Sequence, residues 1–144
     1  MKKLLALNRG EIAIRIMRAA TELGKRTVAV YAEEDKLSLH RFKADEAYQV
    51  GAGKGPVQAY LDQEEVLAIA KRAQVDAIHP GYGFLSEREA FAEALKANGI
   101  TFIGPNPRAI AAMGDKIESK KFANAAKVST VPGYLGVIES PDHA

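Results

Sequence analysis

The sequence predicts an α/β protein built on an open parallel sheet with helices on both faces. Three observations carry this. Short, largely apolar runs recur at residues 3–7, 27–31, 76–79 and 101–103, and continuous apolar strands belong to sheets covered on both sides. Between them lie stretches whose apolar residues return every three or four positions, the period of an amphipathic helix. The two kinds of segment alternate, as they do in parallel sheets made of strand–helix–strand units.

Lys3-Leu4-Leu5-Ala6-Leu7 is the first strand. Gly10-Glu11 opens a helix in which Ile12, Ile16, Ala19, Ala20 and Leu23 share one side, and Gly24 ends it. Thr27-Val28-Ala29-Val30-Tyr31, apolar and rich in β-branched residues, is the second strand. Glu46–Val50 reads as the third, Gly51–Pro56 as a loop, and Glu64–Ala73 as a helix with Val66, Leu67, Ile69 and Ala70 inward. Asp76–His79 is a fourth strand running into Pro80-Gly81-Tyr82-Gly83, after which Ser86 and Glu89 stand at capping-box spacing for a helix to about Ala97. Thr101-Phe102-Ile103 is the fifth, closed by Gly104-Pro105. Five strands alternating with helices make a Rossmann-like sheet.

Pro105-Asn106-Pro107 marks a boundary between residues 1–107 and residues 108–144. Beyond it, Arg108–Met113 reads as a short helix. Asp115 then N-caps a second helix to about Ala126, with Ile117, Phe122 and Ala125 on its apolar face. From Val128 to Ala144 the chain reads as loop, too poor in apolar residues for a core of its own, so a second domain only begins here.

Composition excludes several classes of function. The 144 residues, 47% hydrophobic and 26% charged, are those of an ordinary globular chain. Twenty basic against eighteen acidic residues leave a net charge of +2, which argues against nucleic acid or a membrane surface as partner. The absence of cysteine removes disulfides, thiol nucleophiles and cysteine-bound metals. The apolar start is broken by Asn8-Arg9-Gly10-Glu11, well short of a signal-peptide core. No run approaches the roughly 18 apolar residues of a membrane span, so a cytoplasmic protein is expected. Three scattered histidines make no metal site, and no catalytic triad pattern is visible.

Four segments remain as candidates for chemistry. Asn8-Arg9-Gly10-Glu11 follows the first strand, at the sheet edge where open α/β folds bind ligands. Gly10 either makes the turn alone or lets helix-start N–H groups hold an anion. Gly51-Ala52-Gly53-Lys54-Gly55-Pro56 lacks the spacing and hydroxyl of a phosphate-binding loop and reads as a flexible surface connection. His79–Glu87 places an imidazole, a phenol and a carboxylate on a glycine-punctuated loop. His79 reads there as a satisfied, half-buried histidine, and Tyr82 either packs or faces a ligand. In Gly114-Asp115-Lys116 a lysine sits in the first helical turn, where it gains nothing from the helix dipole but is placed to attract phosphate; an exposed lysine with no task fits equally.

Asn8–Ala13, Ala44-Asp45-Glu46, His79–Glu87, Phe102-Ile103-Gly104-Pro105 and Met113-Gly114-Asp115-Lys116 stand in the order seen in biotin carboxylases, which the sequence resembles along its length. The resemblance implies a biotin carboxylase N-terminal (pre-ATP-grasp) domain over residues 1–107 and the incomplete beginning of an ATP-grasp domain over 108–144. It implies a complete enzyme that uses ATP and Mg2+ to activate bicarbonate and carboxylates biotin held on a carrier domain. Lys116 matches the family's nucleotide-contacting lysine, and Tyr82 a tyrosine on the wall near biotin. Arg18 and Glu22 match positions in the homodimer interface of bacterial members; one turn apart, they are also spaced to pair with each other.

The family's phosphate loop, magnesium carboxylates and catalytic residues correspond to positions beyond Ala144. The chain is therefore expected to hold no catalytic residue and no metal ligand, and to be inactive alone. Implied partners are the rest of the ATP-grasp domain and the biotin carboxyl carrier and carboxyltransferase parts. Leu7 departs from the family's usual alanine and is expected to alter packing there. Glu33–Lys43 resembles pyruvate carboxylases, whereas Met113–Ile138 resembles propionyl-CoA carboxylase α subunits, so the acceptor stays open. The alternative is a non-catalytic Rossmann-like module that binds a nucleotide or a partner. The missing phosphate loop and the absent G-x-G-x-x-G weigh against it.

Overall fold

Strands β1 (Lys3–Ala6), β2 (Arg26–Tyr31), β3 (Glu46–Gln49), β4 (Ala77–His79) and β5 (Thr101–Phe102) form one parallel sheet in the order β3-β2-β1-β4-β5. The computed structural model describes residues 1–132; the expected loop from Val128 onward lies outside them from residue 133. Successive side chains along a strand point to opposite faces, and this sorts the core in two. Leu5, Leu7, Val28, Val30 and Ile78 fill one face. Leu4, Ala6, Ala29 and Ala77 line the other.

Helix α1 (Gly10–Glu22) covers the alanine face with Ala13, Ile16, Met17 and Ala20. Small residues on both partners let helix and sheet approach closely. Helices α4 (Gln63–Arg72) and α5 (Glu89–Ala97) cover the larger face with Val66, Ile69, Phe91 and Leu95. Leu7, the departure from the family pattern, is fully buried in this larger cluster. The expectation of helices on both faces is met.

Two short helices escaped the periodicity because five residues are too few to display one: α2 (Leu39–Lys43) and α3 (Pro56–Tyr60). Residues 52–55 form an exposed loop as expected, but the reading of Gly51–Pro56 as a flexible connection is corrected at both ends, Gly51 being anchored and Pro56 helical. Gly51 is buried at φ +66°, and a Cβ there would lie 2.3 Å from the Ala59 Cα, so α3 sits directly on it. The Gly51 N–H donates to Glu65 Oε2 at 2.8 Å, and Lys54 pairs with Asp62. Pro56 occupies the first position of α3, where a missing N–H costs nothing.

The capping box at Ser86 is also corrected. Phe84–Glu87 forms a 3-10 turn, and α5 starts only after Arg88, with no side-chain cap. Past the boundary, Asn106 caps α6 (Pro107–Gly114) and Asp115 caps α7 (Lys116–Ala125), its Oδ1 accepting from Ile117 N and Glu118 N. The apolar face expected on α7 is not buried. No residue of α7 is buried among the described residues, and Phe122 is 55% exposed.

Candidate functional site

The strand order reverses between β1 and β4, and a parallel sheet opens a crevice beyond the carboxyl ends of its strands at such a point. Two of the predicted segments meet there. The Asn8–Glu11 turn leaves β1, and the His79–Glu87 loop leaves β4. Asn8, 2% exposed, donates from Nδ2 to Pro80 O at 2.8 Å and Tyr82 O at 2.9 Å, tying the turn to the loop. Gly81 lies so close that a Cβ would stand 2.8 Å from Asn8 Nδ2. The Tyr82 hydroxyl crosses the crevice and donates to Glu11 Oε1 at 3.0 Å; this bond raises the phenol's pKa, so the hydroxyl keeps its proton.

His79 is half-buried, and burial lowers its pKa. Its Nδ1 accepts the Gly81 N–H at 3.0 Å, so the neutral ring carries its proton on Nε2. The expected satisfied histidine is what the structure holds.

A second cluster, which no sequence motif announced, braces the turn from the β2 side. Asp35 is buried, and its carboxylate accepts from Arg9 Nη2 at 2.7 Å, Ser38 Oγ at 3.0 Å and Tyr60 Oη at 2.7 Å. Burial pushes this carboxyl up, but the hydrogen bonds from Tyr60 and Ser38, with the Arg9 charge, outweigh it and hold it below the ordinary aspartate value. Burial also raises the Tyr60 pKa, with the bond to Asp35 acting in the same direction. His40, fully buried, donates from Nε2 to Val30 O at 3.1 Å and accepts the Gly10 N–H on Nδ1 at 3.4 Å; burial lowers its pKa, so it is neutral.

The family model described as "Biotin carboxylase, N-terminal domain" matches residues 1–110. The chain belongs to this family. Human mitochondrial pyruvate carboxylase is 56% identical over 140 residues, covering 97% of this chain and 12% of that protein. The propionyl-CoA carboxylase alpha chain of Ruegeria pomeroyi is 51% identical over 142 residues, covering 99% of this chain and 21% of that one. A solved biotin carboxylase domain dimer of Hydrogenobacter thermophilus 2-oxoglutarate carboxylase, in complex with MgADP, ADP and bicarbonate, superposes with a TM-score of 0.90 at 46% identity, over 99% of this chain and 31% of that one. The chain thus spans about an eighth of the length of its pyruvate carboxylase relatives.

The biotin carboxylase motifs separate by sheet edge. Ala44-Asp45-Glu46 is structural: Asp45 Oδ2 accepts from Thr27 N and Oγ1, and Glu46 pairs with Lys3 at 2.8 Å and Arg26 at 3.2 Å, all at the edge opposite the crevice. Lys116 is exposed in the first turn of α7 and has no ion pair among the described residues. Asp115 already takes the N–H groups of that turn, so the cationic donor there is Lys116 and not the helix end. Arg18 and Glu22 are exposed and line a cleft of about 300 Å³. They do not pair with each other; the i, i+4 ion pair of α1 is Glu11–Arg15 at 3.7 Å. Arg18 and Glu22 thus share one cleft on α1, whereas Tyr82 is carried on the loop after β4 and Lys116 on α7. Among the described residues no helix is long and apolar enough to cross a membrane, and no three His, Asp or Glu side chains converge on a metal site.

Proposed function

We propose that this chain is the N-terminal part of a biotin carboxylase component, which in the complete enzyme carries out ATP- and bicarbonate-dependent carboxylation of biotin on a carrier domain. The observation that carries the reading is the joining of the two family motifs, Asn8–Glu11 and His79–Glu87, at the sheet's switch point in a chain of this family. Residues 1–107 form the pre-ATP-grasp domain, and residues 108–144 begin the ATP-grasp domain. Rest-of-domain ATP-grasp, carrier and carboxyltransferase parts are its partners, and its location is cytoplasmic.

ATP supplies the phosphoryl group that activates bicarbonate. Lys116 fits a contact to the nucleotide, since its ammonium is exposed and has no ion pair among the described residues. No described residue is assigned to magnesium. Tyr82 lines the biotin side, its proton held toward Glu11. Arg18 and Glu22 contribute to a homodimer interface, a role supported by the dimeric biotin carboxylase relative.

The test is bicarbonate-dependent ATP cleavage. The 144-residue chain should show none, because phosphoryl transfer needs several donors and metal ions closing together on the phosphates. In a complete carboxylase containing this sequence, Lys116→Gln should weaken ATP binding or turnover by about ten- to a hundredfold, the worth of a charge-assisted contact of about 1.5–3 kcal/mol. Turnover by the short chain above a Lys116→Gln background would refute the reading.

A further inference from the structure

The loop that carries Tyr82 does not hold its own shape. Gly81, Gly83 and Phe84 all have positive φ, at +67°, +66° and +48°. For Phe84 this conformation costs about 1–2 kcal/mol, so neighbouring structure must impose it. Two anchors do so. At the far end Phe84 stacks on Tyr60, with ring centroids 5.2 Å apart, and Leu85 is buried. In the middle two side chains grip the backbone: His79 Nδ1 accepts the Gly81 N–H, and Asn8 sends its two amide hydrogens to Pro80 O and Tyr82 O. Its Oδ1 meanwhile accepts the Arg9 N–H at 2.9 Å, so both donors and the acceptor oxygen are engaged. Asparagine is the short side chain that offers two donors and an acceptor together. Aspartate would set a carboxylate against two carbonyl oxygens. The backbone is thereby fixed while the Tyr82 side chain stays 63% exposed, restrained at its tip only by Glu11.

We propose that Asn8 and Glu11 are positioning residues for the biotin side of the reaction: Asn8 sets the Pro80–Gly83 backbone and Glu11 sets the Tyr82 hydroxyl. The proposal rests on the reading of Tyr82 as biotin-proximal. Neither residue touches the reacting atoms; each acts through Tyr82. Because neither Asn8 nor Glu11 bonds to α7 among the described residues, their loss should separate biotin from ATP.

The test uses a complete carboxylase containing this sequence, with free biotin as acceptor. Asn8→Asp should raise KM for biotin about tenfold, the effect of losing one to two hydrogen bonds, and leave KM for ATP within about twofold. Glu11→Ala and Tyr82→Phe should each raise KM for biotin about threefold or more, and the double variant should be no worse than either alone, because both remove the same contact. Glu11→Gln keeps a carbonyl acceptor and should behave as wild type. Equal changes in both KM values, or independent effects of Glu11→Ala and Tyr82→Phe that multiply, would overturn the proposal. If Asn8→Asp does not fold, the Glu11–Tyr82 cycle decides alone. An impaired Tyr82→Phe enzyme beside an unimpaired Asn8→Asp enzyme sinks the proposal and leaves the biotin reading standing. An unchanged KM for biotin in Tyr82→Phe sinks the biotin reading, and the proposal falls with it.

Discussion

Asp35 joins three segments through one buried carboxylate, and each bond to it has a different worth. Tyr60→Phe leaves the Ala32 N–H and one Asp35 oxygen without the hydroxyl they share, at 3.2 and 2.7 Å. A cost of about 1–3 kcal/mol follows. Asp35→Asn removes the charge opposite Arg9 and should cost about 3 kcal/mol, the low end for a broken buried pair, because Arg9 is itself 43% exposed. Urea midpoints should rank wild type above Tyr60→Phe above Asp35→Asn. Asp35 and the two histidines near the sheet's switch point predict a pH profile. His40 and His79 are held below the ordinary imidazole value, chiefly by burial, so the unfolded chain takes up protons first, near pH 6.5 or about that. Stability should therefore fall as pH drops from about 6.5 toward the folded pKa values. Asp35 is depressed too, so its contribution, full above the unfolded value of about 3.9, is lost as pH falls through the lower folded value. Urea midpoints at neutral, mildly acidic and strongly acidic pH should show two successive losses; a flat profile would contradict both assignments.

At the scale of elements, what decides a substitution is the neighbour and not the backbone alone. Gly24 and Gly99 have φ of +66° and +70° and open space where a Cβ would point. Alanine at either should cost only the left-handed penalty of about 1–2 kcal/mol. Gly51 has the same φ but meets Ala59 of α3, so Gly51→Ala should cost clearly more, measured as the difference in thermal midpoints among the three variants. Helix α7 offers the reverse case. Asp115→Ala removes a cap worth about 1 kcal/mol, yet α7 buries no residue among those described. The loss should appear as faster amide exchange at Ile117 and Glu118, with the global unfolding midpoint unchanged.

For the whole molecule, the distribution of surfaces bears on assembly. Stable interfaces bury about 1,200–2,000 Å² in total, and the cleft beside Arg18 and Glu22 is small, about 300 Å³, and bordered by only Ile14, Met17, Thr21 and Lys43 besides them. The 144-residue chain should therefore sediment as a monomer at low micromolar concentration. A tight dimer abolished by Glu22→Ala would show that α1 alone suffices for the interface.

The five strands, the α1 and α5 helices, the α4 face and the Asp115 cap were legible in the sequence because each rests on local pattern: an apolar run, a 3.6-residue period, or a capping side chain beside the helix it caps. The face of α1 was only half legible: Ile16 and Ala20 are buried as expected, but Ala13 and Met17 complete the face, and Ala19 and Leu23 are exposed. Lys116 and Tyr82 were legible as candidates through motif alone. The short helices α2 and α3 were not, since five residues show no period and they are fixed by contacts outside themselves, His40 with Val30 and Gly51 with Glu65. The same holds for the roles of Asn8 and Asp35. Their partners lie 72 and 74 residues away for Asn8, and 25 and 26 for Asp35. A side chain's hydrogen-bonding capacity is written in its residue type, but which carbonyl or hydroxyl satisfies it is decided only when the parallel sheet brings the ends of β1, β2 and β4 to one edge.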